Sequence, residues 1–272
     1  MSNLAIRSIA GLTFTSVVIG SAFMGPWAMG ALFFVFALVG LHEFYNLLQL
    51  VKIRPRLYGF GLVGGAYIFI TSMMIALDKC SAQWLLLLLP YLSVVFCLEL
   101  VKPIHGAFEA LSKMILGWMY VIVPFSLIMS LATVTGSFDY QAPLGFFVIL
   151  WINDSSAYFT GRAFGKNKLY PAISPNKTWE GLIGGMLFSL VAGALISHWF
   201  DSLSLVQWIV VAAIIAVLAN VGDLFESHLK RIAGVKDSGN LIPGHGGSLD
   251  RFDGLLIALP VVYVYLHFIF FL

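Results

Sequence analysis

The sequence predicts an all-α fold, that of a polytopic integral membrane protein with about nine transmembrane helices. The first observation is composition: 60% of the 272 residues are hydrophobic, only 10% are charged, and the mean hydropathy is +0.94. An ordinary soluble domain carries roughly 25% charged residues. The second observation is the spacing of long apolar stretches, and the third is the distribution of Lys and Arg between them.

About 20 largely apolar residues are needed to cross the hydrocarbon core of a bilayer. Nine stretches approach this length, at residues 8–24, 27–47, 58–77, 83–101, 110–133, 142–161, 181–199, 205–222 and 252–271. The first stretch also has features of a signal peptide, with Arg7 ahead of an apolar core and small residues near its end. The second stretch follows at once, which favours a signal anchor, while a cleaved signal peptide stays open as the alternative.

Basic residues orient these spans, because short cytoplasmic loops are enriched in Lys and Arg. With the N-terminus in the cytoplasm, 14 of the 15 basic residues fall on the cytoplasmic side and only Lys79 falls outside. The C-terminus is then outside. Adding or removing one span in the middle of the chain would destroy this asymmetry.

Ionisable residues divide the chain into residues 1–140, with about five spans, and residues 141–272, with about four spans and a polar site that faces the cytoplasm. Both parts are expected to form one integrated membrane domain. His42 and Glu43 end the second span, and this place predicts polar tips that reach interfacial water, with a catalytic role as the alternative. Cys80 and Cys97 lie at opposite ends of one span, so two free thiols are expected.

A polar segment from Ser227 to Asp253 separates the last two apolar stretches. Charged groups at membrane depth are costly and usually functional. Neither Gly nor Pro occurs between Asp223 and Ile232, so we expect the eighth span to continue as one helix from Leu205 to about Ile232.

One face of this helix is predicted to carry a carboxylate, a hydroxyl and an ammonium group. At about 100° per residue, four polar residues fall in a stripe roughly 60° wide: Asn220, Asp223, Ser227 and Lys230. Glu226 and Lys230 are also spaced for an i,i+4 ion pair.

A glycine-rich turn, residues 243–248, leads into the last span. Glycines let a backbone approach a ligand, and free amides at a helix N-terminus attract phosphate. Ser248 is a candidate N-cap. Asp250 and Asp253 project to neighbouring positions and, with Asp223, form an all-oxygen site suited to Mg²⁺. The alternative is that the two aspartates complement the helix dipole and pair with Arg251.

The segment between the sixth and seventh spans reads S-P-N-K-T-W-E-G from Ser174 to Gly181. Lys177 and Thr178, at the start of a helix, form a candidate phosphate contact. A loop lysine equally fits a charge that sets membrane orientation.

The run from Ser227 to Asp253 resembles the signature of the phosphatidate cytidylyltransferase (CDP-diacylglycerol synthase) family, in the pattern S-x-L-K-R-x4-K-D-x-G-x2-I-P-x-H-G-G-x-x-D-R-F-D. The preceding Gly222-Asp223 and the segment at 174–181 match as well. These motifs cover about residues 150–255, and no charged signature position departs from the pattern.

The resemblance implies a Mg²⁺-dependent nucleotidyltransferase of phospholipid biosynthesis that makes CDP-diacylglycerol and pyrophosphate from CTP and phosphatidic acid. It implies a multi-pass protein of the cytoplasmic (inner) membrane whose active site faces the cytoplasm, with no nucleic-acid partner. A second cation and a homodimer are left open.

The expected roles of the residues follow from this resemblance. Asp223, Asp250 and Asp253 are expected to bind the metal. The other expected catalytic residues are basic and hold phosphates: Lys230, Arg231 and Lys236. Further expected substrate contacts are Asn176, Lys177, Thr178, Ser227, His245, Gly246, Gly247 and Arg251.

Two other functions stay open, a cytidylyl or phosphoryl transferase acting on another lipid phosphate or a polyprenol, and a cation-coupled transporter. Transporters place their acidic residues near the bilayer midplane and repeat broken helices in both halves. Here the acidic residues are predicted at one face and in the second half only.

The charge asymmetry makes a testable prediction about topology. A reporter that is active only in the cytoplasm should be inactive when it is fused after Leu272, because nine spans place that end outside. The same reporter fused after Gly234, in the predicted cytoplasmic loop, should be active and serves as the control. An active fusion at Leu272 would contradict the nine-span topology.

Overall fold

The computed structural model describes residues 3–50, 54–100, 106–239 and 246–271. The described chain forms ten α-helices and one small β-hairpin. The helices are α1 (Asn3–Phe23), α2 (Pro26–Leu47), α3 (Pro55–Ala76), α4 (Leu88–Leu100), α5 (Ala107–Gly117), α6 (Val123–Ala132), α7 (Gln141–Phe164), α8 (Trp179–Ile196), α9 (Leu205–Ile232) and α10 (Leu249–Phe271). A 3-10 segment (Ala82–Leu87) leads into α4, and a π-helical segment (Trp118–Ile122) joins α5 to α6.

Seven described helical segments are long and apolar enough to cross a membrane. They are Pro26–Leu47, Pro55–Ala76, Ala82–Leu100, Ala107–Ala132, Trp179–Ile196, Leu205–Ile232 and Leu249–Phe271. A shorter apolar helix covers Ile9–Phe23, and α7 corresponds to the predicted span at 142–161 without meeting the same measure. The all-α, multi-pass class is therefore confirmed, whereas the count of nine spans and the orientation of the termini stay predictions.

Local sequence signals explain where the helices start and stop. Pro26 and Pro55 occupy the first turns of α2 and α3, where a missing amide hydrogen costs nothing. The Ser204 hydroxyl and the Gln207 side chain form a capping box at the start of α9. This helix ends at Ile232, as the absence of Gly and Pro predicted, and Gly234 follows with φ of 70°.

The described contacts divide the chain into two compact units. Unit 1 comprises Met1–Ser130 and Asp237–Leu249, and unit 2 comprises Leu131–Lys236 and Asp250–Leu272. The glycine-rich part of the polar segment thus belongs with the N-terminal helices, and the helices that flank it belong to unit 2. The predicted boundary between residues 140 and 141 stays a prediction about the sequence.

Unit 1 has α2 at its centre, packed against α1, α3 and the π-helical segment. The polar groups of two buried aromatic side chains form hydrogen bonds that connect these elements. The Tyr45 hydroxyl donates to the Met114 carbonyl at 2.8 Å, and the Trp118 indole N–H donates to the Gly61 carbonyl at 2.7 Å. Cys80 and Cys97 are both free thiols, as predicted.

Unit 2 is built from α7, α8 and α9, which pack against one another. The buried Asn153 side chain of α7 accepts a hydrogen bond from the Ser189 hydroxyl of α8 at 3.3 Å. Between these two helices lies an antiparallel hairpin of β1 (Lys168–Tyr170) and β2 (Ser174–Thr178). The Glu180 carboxylate accepts hydrogen bonds from the backbone amides of Lys166 and Asn167, which ties the residues just before β1 to the start of α8.

Candidate active site

A buried lysine bridges two carboxylates in unit 2. The Lys230 ammonium lies 2.9 Å from Glu226 Oε2 and 2.6 Å from Asp250 Oδ1. The side chains of Glu226, Asp250 and Lys230 are 1%, 7% and 13% exposed. The predicted i,i+4 pair is therefore confirmed, and α9 and the first turn of α10 share one cation. Such a buried network is strongly destabilised when one partner is removed.

A second ion pair joins β2 to α9 in the same unit. The Lys177 ammonium lies 2.7 Å from Asp223 Oδ2 and also donates to the Asn220 carbonyl at 3.4 Å. The Ser227 hydroxyl donates to the other oxygen of Asp223 at 3.2 Å. Asp223 remains 42% exposed, so its carboxylate is accessible to a further ligand. The polar stripe predicted for α9 is thus present and is joined to the 174–181 segment.

Close helix packing brings Asp223 and Asp253 together. A side chain at Gly222 would overlap the Asp253 carbonyl, and one at Gly254 would lie 3.0 Å from the Ala219 Cβ atom. Small residues allow helix backbones in membrane proteins to approach in this way. Asp253 consequently interacts electrostatically with three other carboxylates of unit 2, those of Asp223, Glu226 and Asp154.

The remaining predicted residues of unit 2 have different environments. Exposed side chains belong to Asn176, Arg231, Lys236 and Arg251. Thr178 is buried, and its hydroxyl accepts the Gly181 amide at 3.1 Å as the N-cap of α8. This cap accounts for Thr178 without a substrate.

The described part of the predicted glycine-rich turn, residues 246–248, belongs to unit 1. Gly246 has φ of 82°, a conformation that favours glycine, and Gly247 is buried. His245 lies outside the described residues. The Ser248 hydroxyl donates to the Phe36 carbonyl at 2.9 Å. The start of α10 is capped by a different side chain, that of Glu43.

Glu43 is a functional candidate whose environment the sequence did not reveal. Its side chain was expected to reach water, and this interpretation is wrong, since Glu43 is only 4% exposed. Its carboxylate accepts hydrogen bonds from the amides of Ser248 and Leu249. His42, its neighbour, is exposed as expected and contacts Tyr58 and Asn46. In the sequence, the only indication of a functional role was a carboxylate among apolar residues, and the sequence did not indicate which groups it would contact.

The carboxylate oxygens of unit 2 are ligands of the type that Mg²⁺ prefers. Mg²⁺ usually takes one or two carboxylates together with substrate phosphates. Glu226 Oε1 is buried and has no hydrogen-bond partner among the described residues, so it lacks the compensation that a cation would provide. Within the described ranges, no group of three or more His, Cys, Asp or Glu side chains is arranged to hold a metal ion. The residues therefore fit a cation site that phosphates complete, rather than a closed protein cage.

Comparison of the sequence with known proteins shows which family the chain belongs to. The model of the cytidylyltransferase family matches residues 5–269. A phosphatidate cytidylyltransferase of Brucella abortus biovar 1 (strain 9-941) is 33% identical over 271 residues, 97% of this chain and 94% of that protein. One from Staphylococcus haemolyticus (strain JCSC1435) is 31% identical over 274 residues, 96% of this chain and 98% of that protein. One from Haemophilus influenzae (strain ATCC 51907 / DSM 11121 / KW20 / Rd) is 44% identical over 128 residues, 45% of this chain and 44% of that protein.

The buried ion-pair network makes a prediction about stability. Lys230→Met should lower the free energy of unfolding by about 3 kcal/mol, because it leaves the Glu226 and Asp250 carboxylates buried without their shared cation. Reversible unfolding in detergent measures the change. Lys236→Met is the matched control at an exposed lysine and should change stability by less than about 0.5 kcal/mol. Equal effects of the two substitutions would show that the network does not stabilise the protein.

Proposed function

Because the chain belongs to the cytidylyltransferase family, we propose that it transfers the cytidylyl group of CTP to phosphatidic acid, giving CDP-diacylglycerol and pyrophosphate. The observation that carries the proposal is the convergence of Lys177, Asp223, Lys230 and Asp250 from β2, α9 and α10 in a chain of apolar helices. Relatives that carry the name phosphatidate cytidylyltransferase align over almost the whole chain, which supports the same substrates.

The reaction requires positioning and charge neutralisation more than proton transfer. A phosphate oxygen of phosphatidic acid attacks the α-phosphorus of CTP, and the bond from that phosphorus to the bridging oxygen of the β-phosphate breaks. Pyrophosphate leaves with this oxygen and its electron pair. The attacking phosphate monoester is already an anion near neutral pH, so a general base is not required. Catalysis then depends on cations and hydrogen-bond donors placed at the phosphates.

Each charged residue of unit 2 has a part in this proposal. Lys177 and Lys230 contact the phosphates, because both ammonium groups are held in place by carboxylates and still have donor capacity. The exposed Arg231, Lys236 and Arg251 add positive charge where substrates arrive. One or two of the carboxylates of Asp223, Asp250 and Asp253 would hold Mg²⁺, and phosphate oxygens would complete its ligands. When bound, Mg²⁺ would neutralise charge on the phosphates and on the departing pyrophosphate.

The location of the protein follows from the substrates and from the charge asymmetry of the sequence. Phosphatidic acid lies in the bilayer and CTP is a water-soluble cytoplasmic nucleotide. We therefore place the site at the cytoplasmic face of the inner membrane. Dimerisation stays a prediction.

The activity itself is tested with purified protein in detergent or vesicles. Labelled CTP and phosphatidic acid should give labelled CDP-diacylglycerol and pyrophosphate in equal amounts, with a requirement for Mg²⁺. A panel of other lipid phosphates and a polyprenyl phosphate serves as the comparison. Transfer to a polyprenyl phosphate and not to phosphatidic acid would overturn the proposed substrate, and the absence of any transfer would overturn the proposed reaction.

The assignment of Asp250 to the metal site predicts a specific defect. Asp250→Asn keeps the size of the side chain and removes its charge, so turnover should fall roughly 10²–10³-fold, the usual effect of removing one group that stabilises transition-state charge. Steady-state rates across a Mg²⁺ titration measure the change. The concentration of Mg²⁺ that gives half-maximal rate should rise.

Lys230→Met is the matched comparison for that experiment, because it breaks the same ion pair from the other side. It should weaken the use of CTP while leaving the Mg²⁺ requirement unchanged. If Asp250 acts only through the ion pair, both variants will show the same Mg²⁺ dependence. Near-normal turnover of a folded Asp250→Asn variant would remove Asp250 from the metal site.

A further inference from the structure

One face of α2 receives the segment that precedes the last helix, entirely within unit 1. Phe36, Gly40 and Glu43 are spaced four and three residues apart, which places them on one side of the helix. The Phe36 carbonyl accepts the Ser248 hydroxyl at 2.9 Å. A Cβ atom at Gly40 would lie 3.5 Å from both the Ser248 hydroxyl and the Leu249 side chain, an ordinary van der Waals distance, so this face of α2 lies directly against the segment.

The Glu43 carboxylate uses both of its oxygens on this segment. Oε1 accepts the Ser248 amide at 3.0 Å. Oε2 accepts the Leu249 amide at 2.9 Å and the Ser238 hydroxyl at 3.1 Å. One buried side chain thus holds the segment near its beginning and at its end. The two amides belong to the start of α10, where a negative charge is favourable.

Two glycines of the family signature provide the space for this carboxylate. A Cβ atom at Gly239 would overlap Glu43 Oε1, and one at Gly247 would overlap both Glu43 oxygens. Neither glycine is among those with positive φ, in contrast to Gly246. Contact with Glu43, rather than backbone conformation, therefore explains why these two positions are glycine.

We propose that Glu43 is a positioning residue for the reaction, which anchors Ser238, Ser248 and Leu249 and fixes the residue at which α10 begins. This inference rests on the proposed function. Leu249 is bonded to Asp250, so the anchor determines where the chain enters the helix that carries Asp250 and Asp253. The same anchor limits the conformations of Gly246 and Gly247, which directly precede Ser248. Glu43 itself needs no contact with substrate.

The hydrogen bonds that Glu43 accepts require a carboxylate, and an amide side chain of the same size cannot accept all of them. Glutamine has the same shape but only one acceptor oxygen, so one of the two amides would face an NH₂ group. Aspartate keeps both acceptors and the charge but is one methylene shorter. A positioning role therefore predicts that Glu43→Asp retains more function than Glu43→Gln.

The first experiment measures hydrogen exchange and kinetics on the same purified variants. In Glu43→Gln, the amides of Ser248 and Leu249 should exchange faster, and kcat should fall roughly 10²-fold, as expected for misplaced groups. The KM for phosphatidic acid should change little. Glu43→Asp should recover part of both effects. Glu109→Gln, at an exposed glutamate of the same unit, is the matched control and should change neither.

The second experiment separates two explanations for Gly247. Gly247→Ala should impair the enzyme in the native background and add little in a Glu43→Ala background, because the group that it displaces is then absent. If Gly247 serves only the approach of phosphate, the two losses will multiply in full. Gly59→Ala is the control, since a side chain there meets nothing within 4 Å.

The outcomes separate this inference from the proposed function. A failure of the proposed function appears in the unsubstituted protein as absence of cytidylyl transfer. The inference is overturned if the Ser248 and Leu249 amides of Glu43→Gln exchange at the native rate. It is also overturned if they exchange faster while kcat is unchanged, or if Glu43→Asp is no better than Glu43→Gln.

Discussion

A carboxylate removed from water is tolerated only when hydrogen bonds or an opposite charge replace its hydration. Glu226 and Asp250 share the Lys230 ammonium, and Glu43 accepts hydrogen bonds from two amides and a hydroxyl. Each arrangement joins one helix to a segment outside it, so these polar contacts hold apolar helices in place. In unit 2, Lys230 joins α9 to the start of α10. In unit 1, Glu43 holds the preceding segment against α2.

Features that depend on neighbours within one helix were predictable. The extent of α9, from Leu205 to Ile232, follows from an uninterrupted run without Gly or Pro. The Glu226–Lys230 pair follows from spacing alone, because residues four apart on a helix are adjacent. The membrane class follows from composition, which tertiary contacts do not alter. These inferences needed only the period of the helix and the thickness of a bilayer.

Features that depend on distant residues were not predictable from one sequence. Glu43 is separated from Ser248 by 205 residues, and no periodicity relates their positions. The sequence showed an acidic residue near a helix end, where a solvated tip is ordinarily expected. Thr178 was expected to contact substrate with the lysine beside it; this stays a prediction, and the structure shows that its hydroxyl caps α8. Glycine positions were informative only in part, since close approach of the backbone to a ligand was predicted for Gly247, and the structure shows in addition that Gly247 leaves room for the Glu43 carboxylate.

The ion pairs of Lys177 and Lys230 affect how the site can bind an anionic substrate. Both lysines are already paired with carboxylates, so a phosphate has to share each ammonium group with them. An ammonium has three N–H donors. Lys230 directs two of them to Glu226 and Asp250, and Lys177 directs two to Asp223 and the Asn220 carbonyl, within the described residues. One donor on each lysine is then left for a phosphate oxygen, while the carboxylates keep the ammonium in place. Binding can therefore proceed without breaking either ion pair.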